Sequence, residues 1–280
     1  MFKDTVVAYY RERPGLAALF REELRWLASP RCGDDYMAVY PYPFCEKYLH
    51  GLGDVAVRRG AEGLPYVMHG GKRLFFPVHW GQGGDGLIAY KYRYLCMEQD
   101  PESSHCYLTP ALRETRFDAL VDAGCAEGML ALEMIDQVER AVLVECDSAW
   151  LPALEATFAP WRHKVTIVPK KLSDTDGADS ITLKTLAEDY DIHNALLKMD
   201  VEGYERQALA GAGNLKAYAS AVLCCAYHRA DDAAVLSGGL LRHGYRVEFS
   251  KGYMLFASPP AWLPLPGPPY FRKGLVRGVI

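Results

Sequence analysis

From Phe117 onward, short apolar runs alternate with amphipathic stretches in a regular order. The apolar runs are Ala119–Ala123, Ala141–Cys146, Val165–Val168, Ala195–Val201 and Ala221–Ala226. Between them lie segments with helical spacing: Glu127–Gln137, Ser148–Phe158, Thr185–Tyr190, Tyr204–Lys216 and Asp231–His243. Continuously apolar strands joined by helices predict a parallel sheet covered on both faces. Two further runs, Tyr245–Ser250 and Tyr253–Ala257, are separated only by Lys251-Gly252, a spacing that suits a hairpin. The expected fold class is therefore α/β, a Rossmann-like sheet of five parallel strands closed by a terminal antiparallel hairpin.

Ahead of this region the pattern is different. Leu16, Leu19, Phe20, Leu24 and Leu27 recur at helical intervals within Pro14–Ala28. Pro65 to Pro77 reads as a β-hairpin, because Gly70-Gly71 can take the positive φ values of a tight turn. The chain is thus expected to divide into an N-terminal α+β cap over residues 1–112, a nucleotide-binding domain over 113–258, and a Pro-rich basic tail over 259–280 packing on the surface.

Composition narrows the function classes. Lys and Arg number 31 against 35 Asp and Glu, a net charge of -4, with no long basic run, so nucleic acid is not the expected partner. The eight cysteines include no C-x-x-C pair and several fall in predicted strands, the pattern of buried free thiols in a reducing, cytoplasmic setting. Gly252 to Phe271 is uncharged, but Pro259, Pro260, Pro264, Pro266, Pro268 and Pro269 would break any helix there, so no membrane association is expected.

The strongest local signal is Val121-Asp122-Ala123-Gly124-Cys125-Ala126-Glu127-Gly128, a strand running into a helix. Gly124 and Gly128 allow a tight turn and close approach to a ligand, and the loop places amides at the start of a helix. Asp122 and Glu127 would repel a dinucleotide pyrophosphate, yet would attract the sulfonium and ammonium of S-adenosylmethionine. The next strand ends in Glu145-Cys146, and an acid there commonly binds ribose hydroxyls. Ser173 and Asp174 are candidates for the adenine amino group, or an ordinary polar turn before Gly177.

Lys198-Met-Asp200-Val-Glu202-Gly-Tyr-Glu205 has the form K-x-D-x-E-G-x-E on the fourth strand. With the acid-bearing glycine loop and the Thr182-Leu183 and Thr185-Leu186 segment before it, this resembles the FkbM family of S-adenosylmethionine-dependent methyltransferases. Ala226-Tyr-His228-Arg-Ala-Asp-Asp232 adds to the likeness, which covers roughly Val121 to Ala257. The resemblance implies a class I methyltransferase domain using S-adenosylmethionine, with transfer to an oxygen of a saccharide or small metabolite. An oxidoreductase binding NAD, or a non-catalytic cofactor-binding module, are the rival readings.

The residues also read on their own terms. Lys198 and Asp200 share one face of a buried strand, so Lys198 is either functional or paired structurally with Asp200 or Glu202. Asp200 ends a central strand, where open α/β sheets place their ligand crevice. His228, ending the fifth strand beside it, is the expected general base, with Asp200 as an alternative base or as its orienter. Asp200 with Asp231 or Asp232 could hold magnesium, but Asp231 reads better as a helix cap, and no metal is expected. His105 and the tyrosines Tyr40, Tyr42, Tyr90, Tyr92 and Tyr94 could cap the crevice, and His69 reads as a turn residue.

Overall fold

A computed structural model describes residues 2–32, 39–50, 55–60, 63–256 and 267–280. Its frame is a seven-stranded sheet: β1 (Ala119–Ala123), β2 (Arg140–Val144), β3 (Val165–Val168), β4 (Ala195–Met199), β5 (Ala219–Cys225), β6 (Arg246–Phe249) and β7 (Leu275–Val279). The spatial order is β6-β7-β5-β4-β1-β2-β3. β1 to β5 are mutually parallel, and β7 runs antiparallel to both its neighbours. Helices complete the layers: α1 (Asp85–Glu98), α2 (Met129–Met134), α3 (Leu151–Phe158), α4 (Leu183–Asp189), α5 (Glu205–Ala210) and α6 (Asp232–Arg242). This is the class I methyltransferase arrangement, in which a strand order reversing at β1/β4 opens a crevice at the strands' carboxyl ends.

Both sheet faces are dry. Leu120, Leu143, Leu196 and Leu223 pack with Leu132, Leu154 and Phe158 on one side. Val121, Val142, Leu197 and Val222 pack with Leu186, Leu209 and Leu236 on the other. Successive residues of each strand feed opposite faces, so a central strand must be apolar throughout. Part of the N-terminal region joins the first of these cores. Val6, Tyr10, Trp26 and Leu27 pack with Leu255, Tyr270 and Phe271 in a cluster of their own, and Tyr40, Tyr42 and Phe44 pack with Met97 and Met254 in another. The hairpin of Pro65–His69 with Lys72–Phe75 forms as expected, its turn made by Gly70 and Gly71 at φ 55° and 80°. Its Val67 and Leu74 enter the core beside Leu132, and the Phe75 amide donates to Thr157 Oγ1 at 3.0 Å.

Three expectations need correction. The terminal hairpin does not form from Tyr245–Ser250 and Tyr253–Ala257: β6 pairs with β7, while Met254–Leu255 pairs with Phe271–Arg272 in a separate ladder. Ala257 and most of the Pro-rich stretch lie outside the described residues. The tail therefore does not simply pack on the surface, since its final strand is inserted between β5 and β6. Arg277, although charged, is 8% exposed there because its guanidinium donates to the carbonyls of Cys106 and Tyr107. Pro14–Ala28 is likewise two helices, Pro14–Leu19 and Arg21–Leu27, broken at Phe20; Leu16 and Leu19 stay exposed while Leu27 is buried.

All eight cysteines are free thiols, and only Cys146 among them is exposed. No helix among the described residues is long and apolar enough to cross a membrane.

Candidate active site

The loop after β1 passes over the end of β4 with no room for a side chain. Gly124 takes φ +67°, and a Cβ there would lie 1.8 Å from the Asp200 carbonyl oxygen. Ala126 also adopts a left-handed φ, 45°, which is costly for a residue with a side chain and recurs at ligand sites. The loop's amides are mostly committed within the fold. Those of Gly124 and Cys125 donate to the Val144 carbonyl, that of Ala126 to Glu145 Oε2 at 2.9 Å, and that of Gly128 to the Cys125 carbonyl. Since α2 is a short helix and these donors are occupied, the loop is poorly suited to cradle a phosphate.

Two clefts meet at this loop. The larger, about 390 Å³, is flanked by Glu145, Cys146, Trp150, Leu172 and Tyr204. The smaller, about 140 Å³, is lined by Glu98, His105, Tyr107, Asp122, Glu127 and Lys198 among others. Gly124, Ala126 and Asp200 border both. Ser173 and Asp174 line neither: the chain runs on after β3 into the short strand Lys171–Leu172, so Lys170, Lys171 and Leu172 face the larger cleft instead. Gly128 does not reach the clefts either, serving to start α2 against Phe158.

S-Adenosylmethionine suits this space. Glu145 lies at the end of β2, and each of its oxygens accepts one backbone amide, from Ala126 and Asp147, leaving further lone pairs for ribose hydroxyls. Trp150, Leu172 and Tyr204 offer apolar faces for a base, and the buried Asp122 and half-buried Glu127 line the other end for a cationic group. Burial pushes the Glu127 carboxyl up to about 7, so a nearby cation would favour its ionisation.

Asp200 is the hub of the site. Tyr107 Oη donates to its Oδ2 at 2.9 Å and Tyr227 Oη to its Oδ1 at 3.0 Å. His105 Nε2 lies 3.5 Å from Oδ2, and His228 Nε2 lies 3.6 Å from Oδ1. Burial alone would raise this carboxyl, but the hydrogen bond from His105 and the charges of Lys198 and His228 hold it well below the usual carboxylate range.

Lys198 pairs with neither Asp200 nor Glu202. Its Nζ lies 3.0 Å from Asp122 Oδ1 and donates to the Gly124 carbonyl at 2.6 Å, tying the glycine loop to β4. Burial opposes its charge, yet Asp122 and then Asp200 outweigh that and keep it protonated. It is a clamp for the loop.

His228 is placed differently from its expected role. Its Nδ1 is 3.0 Å from Glu205 Oε1, its Nε2 also faces the exposed Glu202 at 3.6 Å, and the side chain lines neither cleft. Burial favours the neutral ring, but Glu205, Asp200 and Glu202 override it and raise the imidazole to about 9. A histidine that is already a cation at neutral pH cannot accept a proton.

The sequence profile of the methyltransferase FkbM domain matches residues 98–246, more than half of the chain. The chain belongs to the FkbM methyltransferase family. Among solved structures it is similar to the methyltransferase FkbM from Methylobacillus flagellatus KT, at 18% identity and TM-score 0.44, over 69% of this chain and 54% of that one. It thus spans about half the length of that protein. Similarity also extends to a precorrin-6y C5,15-methyltransferase from Geobacter metallireducens GS-15, with 11% identity and TM-score 0.39 over 60% and 84% of the two chains. The Streptococcus mutans protein SMU.1697c, solved in complex with SAH, shows 9% identity and TM-score 0.36 over 59% and 90%. No curated protein matches the chain.

Within this FkbM-family site, the magnesium arrangement of Asp200 with Asp231 or Asp232 is not formed. Arg206 binds both Asp231 and Asp232, and Asp231 stands at the N-cap of α6 as expected, though its side chain makes no capping hydrogen bond. Asp200, Glu205 and His228, and separately His105, Asp200 and Cys225, hold ligand atoms within 4.8 Å of one another. In the first set these atoms already balance charge, with imidazolium between carboxylates. Tyr107, Tyr227 and Glu205 were not among the residues expected here, and His69 is more than a turn residue: its ring bridges Tyr92 Oη and Glu133 Oε1, each at 3.1 Å.

Proposed function

We propose that this chain is an enzyme that transfers the methyl group of S-adenosylmethionine to a hydroxyl oxygen on a saccharide or small metabolite. One observation carries the reading: Asp200 stands where a cleft with apolar walls and the strand-end acid Glu145 meets a smaller cavity lined by acids, His105 and the Tyr107 hydroxyl. A cofactor lying along Gly124 and Ala126 would present its reactive centre at that junction. When bound, S-adenosylmethionine supplies an electrophilic methyl on a sulfonium. The chain's own residues must orient the acceptor, remove a proton and exclude water.

Glu145 would hold the ribose, the Lys198–Asp122 pair fixes the loop, and Asp200 stays ionised to balance the cations around it. Tyr107 and Tyr227 fix both oxygens of Asp200, so the carboxylate cannot rotate as charge changes nearby. His228 acts as a permanent countercharge behind Asp200. Saturated oxygens of sugars suit a cavity with phenol, imidazole and carboxylate groups on its wall. The acids of the loop and the commitment of most loop amides within the fold speak against a dinucleotide in the same place.

Thermal unfolding with S-adenosylhomocysteine, S-adenosylmethionine, NAD and no ligand tests the cofactor. At a hundredfold over its dissociation constant, a ligand of the native state adds about 2.7 kcal/mol. A shift with both adenosyl ligands and none with NAD is expected; the reverse would overturn the reading. Tritiated methyl transfer to a panel of methyl glycosides then tests the acceptor class.

A further inference from the structure

We propose that His105 is the general base of this site, taking the acceptor's proton at Nδ1 while Asp200 holds the ring through Nε2. The assignment rests on the methyl-transfer reading above and names the residue that completes it.

Its first support is position. His105 is 3% exposed yet borders the smaller cavity together with Gly124, Ala126 and Asp200. His228 borders neither cavity. The second support is an orphaned atom: His105 Nδ1 is buried with no hydrogen-bond partner, whereas buried polar atoms are almost always matched. An unpartnered nitrogen on a ring that lines the cavity is what an incoming hydroxyl would satisfy once a small shift of the ring or its neighbours opens it.

The tautomer follows from charge. Nε2 lies 3.5 Å from the Asp200 carboxylate and 3.6 Å from Cys225 Sγ. A proton on Nε2 points positive charge at the anion, while a lone pair there would be repelled by it. Nδ1 is then the basic nitrogen. The carboxylates around the ring fix its proton on Nε2 and stabilise the imidazolium that forms when Nδ1 takes a second proton, while Lys198 on the same cavity opposes that charge. Asp200 follows β4, Cys225 ends β5, Tyr227 follows it with ring centroids 5.4 Å apart, and Tyr107 lies on the same segment at 4.9 Å. Glu98, at the end of α1, adds a second carboxyl whose field reaches His105.

The segment is also held still. The His105 amide donates to Ser103 Oγ, the Tyr107 amide to Gln99 Oε1, and Arg277 grips the carbonyls of Cys106 and Tyr107 from β7. A base on a pinned segment keeps its geometry during reaction.

The step balances. The acceptor oxygen bonds to the methyl carbon as the carbon–sulfur bond breaks, and the electrons of that bond remain on sulfur as a neutral thioether. The hydroxyl proton passes to Nδ1, and the resulting imidazolium is paired with Asp200. One positive charge is lost at sulfur and one appears at His105, beside a carboxylate already in place.

Long-range proton–nitrogen correlation spectra of the ¹⁵N-labelled protein with S-adenosylhomocysteine read this directly. The expected result at pH 7 is a neutral His105 ring with its proton on Nε2 and an unprotonated Nδ1. A proton on Nδ1, or an imidazolium at that pH, would overturn the assignment. His105→Gln should keep its affinity for S-adenosylhomocysteine within about threefold and lower methyl transfer to the methyl glycosides by about 10²-fold; an unchanged rate would also overturn it. Failure of the wild-type protein to bind S-adenosylhomocysteine would instead sink the methyl-transfer reading itself, so the two failures are distinguishable.

Discussion

Asp122 and Lys198 are register partners on adjacent parallel strands, and their side chains meet at 3.0 Å with both almost wholly buried. Lys198 reaches on to the Gly124 carbonyl, so one ammonium joins two strands and the glycine loop. Removing one partner leaves the other charged in a dry core, which costs about 3–5 kcal/mol. Asp122→Asn and Lys198→Met should each lower the urea midpoint accordingly, and the double variant Asp122→Leu with Lys198→Met should recover much of the loss. Additive losses in the double variant would contradict the pairing.

Gly124→Ala should damage binding more than any other single change in the loop. The added carbon would overlap the Asp200 carbonyl and sit at a φ that disfavours side chains, so the loop must move away from β4. Calorimetric titration with S-adenosylhomocysteine should show affinity reduced by 10²-fold or more, with a lower Tm. Unchanged affinity would mean that the loop does not bind the cofactor.

The ring of His228 is raised to about 9 in the native protein, against about 6.5 in an unfolded chain. The folded state therefore binds this proton more tightly. The stabilisation is complete below about pH 6.5 and is lost as pH climbs through about 9, amounting to roughly 3 kcal/mol. His69, also raised to about 9 by its partners including Glu133 despite burial, contributes in the same window. Tm should fall between pH 7 and 10, and the fall should be shallower in His228→Gln. An identical slope in that variant would refute the ion pairing drawn for it.

Deleting Leu275 to Ile280 should abolish soluble expression, because β7 is an interior strand and its loss exposes an edge of both β5 and β6. Deleting Ile280 alone, which is 60% exposed, should leave Tm within about a degree. A stable truncated protein would show that β7 is dispensable.

Much of the frame was legible along the chain. β1 to β5 and the helices between them announce themselves because strands buried on both faces are continuously apolar, and the helices between carry a periodic stripe. The strand β7 does not, since Leu275-Val-Arg-Gly-Val is short and contains a charge. Arg277 is tolerated inside only because the carbonyls of Cys106 and Tyr107, about 170 residues earlier, accept its protons. The hairpin expected around Lys251-Gly252 failed for the same reason: a better partner for β6 arrived from the end of the chain.

The sequence by itself determined the sheet's parallel half, the acid-bearing glycine loop and the strand-end acids Glu145 and Asp200. These follow from local periodicity, from backbone freedom at one glycine and from where a strand stops. Only the tertiary structure decided what the charges do. Lys198 could have met any of several acids, and the register of β4 on β1 chose Asp122. His228 and His105 are chemically alike in sequence, yet three carboxylates surround the first, while the second borders the cavity with a nitrogen unmatched. Protonation depends on distances between groups far apart in the chain, and those distances exist only once it has folded.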